Sequence, residues 1–153
     1  MSVHIQNSLN RRIKTVSLKR AAIRALVSER AAESEVCILL ADDNLLHELN
    51  LEYRSQDKPT DVLSFAQRDS IANITEFTHN SPSAPLPFPE NLGDVVISVE
   101  TAERQASAHG RTLDEELCLL TVHGILHLLG YDDVSDEGAD EMQRLECELG
   151  VRR

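Results

Sequence analysis

Residues 112–133 read TLDEELCLLTVHGILHLLGYDD. Leu117, Cys118, Leu119, Leu120, Val122, Ile125, Leu126, Leu128 and Leu129 cover nearly the whole circumference of a helix. A helix that is apolar all round is a central, buried one. Thr112 and Glu115 have capping-box spacing at its start. His123 and His127 lie inside this buried stretch at i and i+4, which stacks both imidazoles on one face. Gly130 follows at the point where a left-handed C′ residue ends a helix. Beyond it the chain can double back, and Asp133 can return a carboxylate to the same point. Two imidazoles can share a zinc ion at ~2.0–2.1 Å, and with one carboxylate they leave a fourth position for water, the pattern of a catalytic site. The plainer alternative is a pair of hydrogen-bonded core histidines; the spacing, the glycine and the acid pair together favour ligands.

The same spacing occurs in zinc proteases as HExxH, where the Glu is the general base. Here that position is Gly124, so amide hydrolysis by that route is disfavoured. Gly124 also permits close approach of a neighbouring strand or a substrate.

Working outward, Val3–Gln6 reads as a short edge strand. Ser17 is a candidate N-cap for a helix over about 18–30, with Leu18, Ala21, Ala22, Ala25 and Leu26 on one face. Val36–Leu40 fits a buried strand, and Asp42 or Asp43 can cap a helix carrying Leu45, Leu46, Leu49 and Tyr53. Asp61–Gln67 and Val95–Val99 read as strands, and helices are expected over about 100–109, 112–129 and 135–149. Between them, residues 68–91 hold Pro82, Pro85, Pro87 and Pro89 among Ser, Thr and Asn, which predicts a mobile surface loop. Neither flank alone can bury a sizeable core, so residues 1–153 read as one domain. The class is α+β, with a small mixed four-stranded sheet packed with about five helices and the histidine helix at the centre.

The 153 residues carry a net charge of -11, which argues against general affinity for nucleic acid. The charge is uneven. Residues 1–30 hold seven Lys/Arg (Arg11, Arg12, Lys14, Lys19, Arg20, Arg24 and Arg30) against Glu29, whereas residues 131–149 hold eight acids against Arg144. Solvated helix faces explain both ends; a basic surface that meets phosphate is the sharper reading. Cys37, Cys118 and Cys147 show no CxxC spacing and read as small buried hydrophobes. No apolar run approaches the ~20 residues that span a bilayer, and MSVHIQNSLN lacks the apolar core of a secretory signal, so a cytoplasmic protein with no membrane partner is expected.

A second constellation is Tyr53–Phe65, YRSQDKPTDVLSF. Arg54 ends a helix and Lys58 sits in the following turn. Arg presents a rigid fork suited to phosphate oxygens, although it can also serve its own helix C-terminus. Thr60, Asp61 and Ser64 read first as turn and cap residues.

With these blocks in hand, HGILHLLGYDD (His123–Asp133) resembles the HGxLHLxGYDH motif of the YbeY family of bacterial zinc-dependent endoribonucleases. YRSQDKPTDVLSF resembles that family's YRxxDxPTDVLSF segment, and LGDVVIS (Leu92–Ser98) resembles its LGDIVIS block. The blocks occur in family order, and the similarity runs from about residue 34 to 149. The resemblance implies a zincin-like α+β fold, one zinc ion and cleavage of single-stranded RNA. It also implies a role in 16S rRNA 3′-end maturation and ribosome quality control. By position it assigns His123, His127 and Asp133 to the metal and places the motif's Arg on Arg54, which is read as catalytic and phosphate-binding; Lys58, in the turn beside it, is a second substrate-binding candidate from its charge and place alone. The implied partners are the 16S rRNA precursor, the small ribosomal subunit and a ribosome-associated GTPase. Two departures stand out. The family's third ligand is His where this chain has Asp133, which adds a negative charge, and Ala66 replaces a common Pro ahead of an atypical 68–91 loop. Asp132, the nearest substitute ligand, matches the family's own Asp.

The implied chemistry is metal-assisted phosphodiester hydrolysis with Arg54 stabilising charge on the phosphate; no general base is identifiable in the sequence. Two other classes compete: a non-catalytic ribosome-assembly factor with a structural zinc, and a metalloprotease-like hydrolase. A further expectation is that residues 11–24, Arg54 and Lys58 form one basic face.

Overall fold

A computed structural model describes residues 2–67 and 91–151. Strand β1 (Ser2–Asn7) leads through helix α1 (Val16–Ser28) to β2 (Glu35–Ala41). Helix α2 (Asp43–Arg54), strands β3 (Val62–Ala66) and β4 (Asn91–Ser98), and helices α3 (Val99–Ala108), α4 (Leu113–Leu128) and α5 (Asp136–Glu148) complete it. The sheet order is β1-β2-β4-β3. β1 and β4 run parallel to β2, and β3 pairs antiparallel with β4, so the sheet is mixed and β1 and β3 are its edges. The sequence-based expectation of a loop at 68–91 falls outside the described residues, except that Asn91 already belongs to β4.

Strand alternation splits the core into two layers. Val36, Ile38 and Leu40 of β2 and Val95 and Ile97 of β4 meet α1, α4 and α5 on one face. Ala41, Val96 and Leu63 meet Leu46 of α2 on the other. α4 is sealed on all sides: Leu117, Val122, Ile125 and Leu126 are almost fully buried, and each such side chain contributes about 1.5–3 kcal/mol relative to exposure. Its capping box is formed as expected, with Thr112 Oγ1 accepting from Glu115 N and Glu115 Oε1 accepting from Thr112 N.

Several boundaries differ from the sequence-based expectation, β4 most of all, which begins at Asn91 and not Val95, and two of the shifts have a clear cause. α1 starts at Val16, ahead of Ser17, and Thr15 at its N-cap position makes no side-chain cap. Packing of the Leu18–Leu26 stripe, rather than a cap, holds this helix. Val99 opens α3 instead of closing β4, because Ser98 Oγ caps α3 by accepting from Thr101 N. The Asp42/Asp43 alternative resolves into two roles. Asp42 caps α2 by accepting from Leu45 N at 3.0 Å. Asp43 accepts from Ser98 Oγ and Thr101 Oγ1, both at 2.6 Å, and from Arg104 Nη2 at 2.8 Å, tying α2 to α3. Partial burial pushes the Asp43 carboxyl up, but these donors outweigh it and hold it below its ordinary value of 3.8. The stability it confers is therefore complete above about pH 3.8 and lost as pH falls through its folded-state value. Asp43→Asn should lower the melting temperature at neutral pH, and the gap to wild type should close in acid.

Gly124 fixes the seating of α4. An added Cβ would lie 2.5 Å from Val95 Cγ1 and 3.2 Å from Ser64 Oγ, and Ser64 Oγ already donates to Gly124 O at 2.9 Å. Of the two partners the sequence allowed, the neighbouring strand is the one present. Gly124→Ala gains about 1 kcal/mol in helix propensity but overpacks a rigid Val, which costs about 1–3 kcal/mol. Denaturant unfolding should show a net loss of stability in Gly124→Ala, relieved in the Gly124→Ala/Val95→Ala pair; an unchanged single variant would refute this seating.

Candidate metal centre

α4 carries His123 and His127 to its C-terminal end on the side facing edge strand β3. Gly130 adopts φ +103°, and the helix closes with Gly130 N donating to His127 O and Tyr131 N to Leu126 O. This paired closure is what a left-handed residue after a helix permits. Tyr131 Oη then donates to Glu29 Oε2 at 2.7 Å, anchoring the turn to the end of α1; this bond raises the phenol to about 12. The next residues bring Asp133 back over the helix. Asp132 is held within the turn instead, its Oδ1 accepting from Val134 N at 3.0 Å. A Cβ on Gly138 would lie 2.3 Å from Asp132 O, so the first turn of α5 sits against this loop only because residue 138 is Gly.

The result is a convergent donor set. His127 Nε2 and His123 Nε2 are 3.1 Å apart, and the Asp133 oxygens stand 3.6 Å from His123 Nε2 and 3.8 Å from His127 Nε2. Ligand atoms at the corners of a zinc tetrahedron stand roughly 3.4 Å apart for bonds near ~2.1 Å, so the three fit one ion. Among the described residues, His123, His127 and Asp133 form a group that could hold a metal. Three lone-pair atoms this close repel one another unless a proton or cation lies among them. Burial, and then the neighbouring His123, hold His127 below its ordinary imidazole value against the opposing pull of Asp133, which favours the neutral ring.

Sequence reasoning missed Glu146. It is 1% exposed on α5, and its Oε1 lies 2.7 Å from His123 Nδ1. A carboxylate there makes Nδ1 the protonated nitrogen and turns the Nε2 lone pair toward the ligand cluster. The available signal was a Glu aligned with Met142 and Leu145 on an otherwise apolar face.

A cleft of about 700 Å³ opens over these ligands. Arg54, Tyr53, Ser64 and Phe65 line it beside His123, His127 and Asp133. Arg54 closes α2, where Ser55 takes a left-handed φ of +56°. Lys58 is not among the lining residues described; its carbonyl accepts from the buried Asn50 Nδ2 at 2.8 Å, and its side chain is exposed. The expected basic face is not formed. No residue of 11–24 lines the cleft among the described residues, and Arg20 and Arg24 line a separate cavity with Asp114, Glu115 and Cys118 at the opposite end of α4. The apolar stripe of α1 must pack on α4, which carries these arginines to that end, and Arg11 pairs with Glu103.

A mixed sheet with an antiparallel edge strand, and a buried two-histidine helix lying against it, define a zincin-like protein. The family model "Endoribonuclease YbeY" matches residues 4–151. A relative of that name from Heliobacterium modesticaldum is 45% identical over 114 residues, covering 74% of this chain and 66% of the relative. One from Moorella thermoacetica is 44% identical over 143 residues, covering 90% of this chain and 87% of the relative. The solution structure of TM1509 from Thermotoga maritima superposes with a TM-score of 0.59 at 25% identity, over 96% of this chain and 85% of that one. The chain belongs to the YbeY family.

Glu146→Gln should weaken metal binding about 10–100-fold, read by competition with a chelating dye. Wild-type affinity in that variant would show that the carboxylate does not orient His123.

Proposed function

We propose that this chain is a zinc-dependent endoribonuclease that cleaves single-stranded RNA, with residues 1–153 forming one catalytic domain. The reading rests on one observation above all: the His123–His127–Asp133 cluster and Arg54 face the same cleft. Family membership supports it, since the relatives are named endoribonucleases. Zinc suits a set of two imidazoles and one carboxylate, which would be supplied by His123, His127 and Asp133. When bound, such an ion offers Lewis acidity toward a phosphoryl oxygen and acidifies water.

The chain's own residues divide the remaining work. Arg54 presents its guanidinium fork to the phosphate and stabilises the charge that develops there. Glu146 holds the proton on His123 Nδ1, so the ring offers Nε2 without reorienting. The packed β3 edge and α4 keep one wall of the cleft fixed, as Ser64 is tied to Gly124 O. By the same reading the substrate is the 16S rRNA precursor on the small ribosomal subunit, the setting is cytoplasmic, and a ribosome-associated GTPase is a partner. No helix among the described residues is long and apolar enough to cross a membrane. Lys58 acts at most on the flanking strand of RNA, outside the cleft.

Arg54→Ala should lower single-stranded RNA cleavage by about a hundredfold or more, with metal content and melting temperature unchanged. His123→Ala should lose both metal and cleavage. Cleavage at the wild-type rate by His123→Ala would sink the metal-dependent reading. Unchanged cleavage by Arg54→Ala would remove that residue from the chemistry.

A further inference from the structure

Among the described residues, five large apolar side chains are well exposed: Val16, Val27, Leu51, Tyr53 and Val134. Of these, only Tyr53 lines the cleft among the described residues, and it is 62% exposed there. Phe65 of β3 stands beside it, with ring centroids 5.1 Å apart and planes at 70°. This edge-on contact comes from a different element and braces the Tyr53 ring while leaving most of it open to solvent. Arg54 follows directly in sequence and lines the same cleft.

We propose that Tyr53, braced by Phe65, is a stacking platform for one nucleobase of a single-stranded RNA whose phosphate lies against Arg54. This rests on the ribonuclease reading above. Two physical arguments select the occupant. An acidic chain with one arginine in the described lining of its cleft gains limited affinity from phosphate contacts, so part must come from elsewhere, and stacking on an aromatic ring supplies it for any base. A base inside a duplex has both faces covered, whereas an unpaired base offers its face to an aromatic side chain. The platform thus confers preference for single strands without reading sequence.

The test measures binding of a labelled oligouridylate to the metal-loaded protein across a salt series. Tyr53→Ala should weaken binding about fivefold to a hundredfold, while Tyr53→Phe, which keeps the ring, binds as wild type. The slope of log Kd against log salt should be the same in Tyr53→Ala as in wild type, since no phosphate contact is lost, and shallower in Arg54→Ala. A strand of abasic ribose phosphates should bind wild type and Tyr53→Ala equally. Tyr53 also reports directly, because the chain has two Tyr and no Trp: in a Tyr131→Phe background its emission should be quenched by oligouridylate and not by the abasic strand. Equal oligouridylate binding by Tyr53→Ala and wild type, or an equal loss on the abasic strand, overturns the platform while leaving the ribonuclease reading standing. Failure of the wild-type protein to bind either strand overturns both.

Discussion

At Gly124 the central helix comes so near the sheet that hydrogen is the only side chain the gap admits. That approach lets Ser64 of the edge strand reach the Gly124 carbonyl, and it sets His123 and His127 under the same strand that carries Phe65 into the cleft. The helix cannot slide, because one turn of translation is about 5.4 Å and would drive a side-chain-bearing residue into Val95. The burial of α4 by α1, α3, α5 and the sheet follows from the same seating. Its two imidazoles are consequently held by the core and not by a loop, which is the condition for a precise donor geometry.

The electrostatics of the cleft follow from its donor set. Asp133 joins the two histidines at the donor cluster and Glu146 sits behind His123 on Nδ1, so a divalent cation held there would have one carboxylate among its donors and a second nearby. Such carboxylates would offset part of the ion's charge, and Arg54 is the basic side chain in the described lining of the cleft. Arg20 and Arg24 do not assist, because α1 carries them to the far end of α4 beside Asp114 and Glu115. On the proposed reading, a chain of net charge -11 offers phosphate one arginine in the described lining of its cleft, beside the candidate metal ligands.

Much of this was legible in the residues. The unbroken apolar girth of 117–129 marked α4 as central, the i,i+4 histidines gave a shared face, and Gly130 marked the turn that returns Asp133. Strand and helix identities were also readable, since their periods of 2 and 3.6 differ clearly. The misses have physical causes. Glu146 reads as one more acid in an acidic helix until α5 is docked, because its burial is a property of tertiary packing. The direction of the basic residues on α1 depends on which end of α4 its stripe meets, a question that helical periodicity does not address. Ser17 was a plausible cap by residue type, yet α1 is held by side-chain packing and has no side-chain cap. Gly138 carries an ordinary helical backbone, so its need to be Gly lies in the Asp132 carbonyl facing it.

The link between His123 and Glu146 also joins parts of the chain that lie far apart in sequence. His123, His127 and Asp133 lie within eleven residues, but the turn that carries Asp133 is tied to α1 through Tyr131 and Glu29 and packed on α5 at Gly138. Glu146 is 23 positions from His123, and Ser64 is 60 from Gly124. Loops of that length close more slowly and only when larger surfaces pack. Along the chain, all three donors precede the carboxylate that orients one of them. The last of the described helices is therefore part of the donor site without supplying a donor: through Glu146 it sets which nitrogen His123 presents.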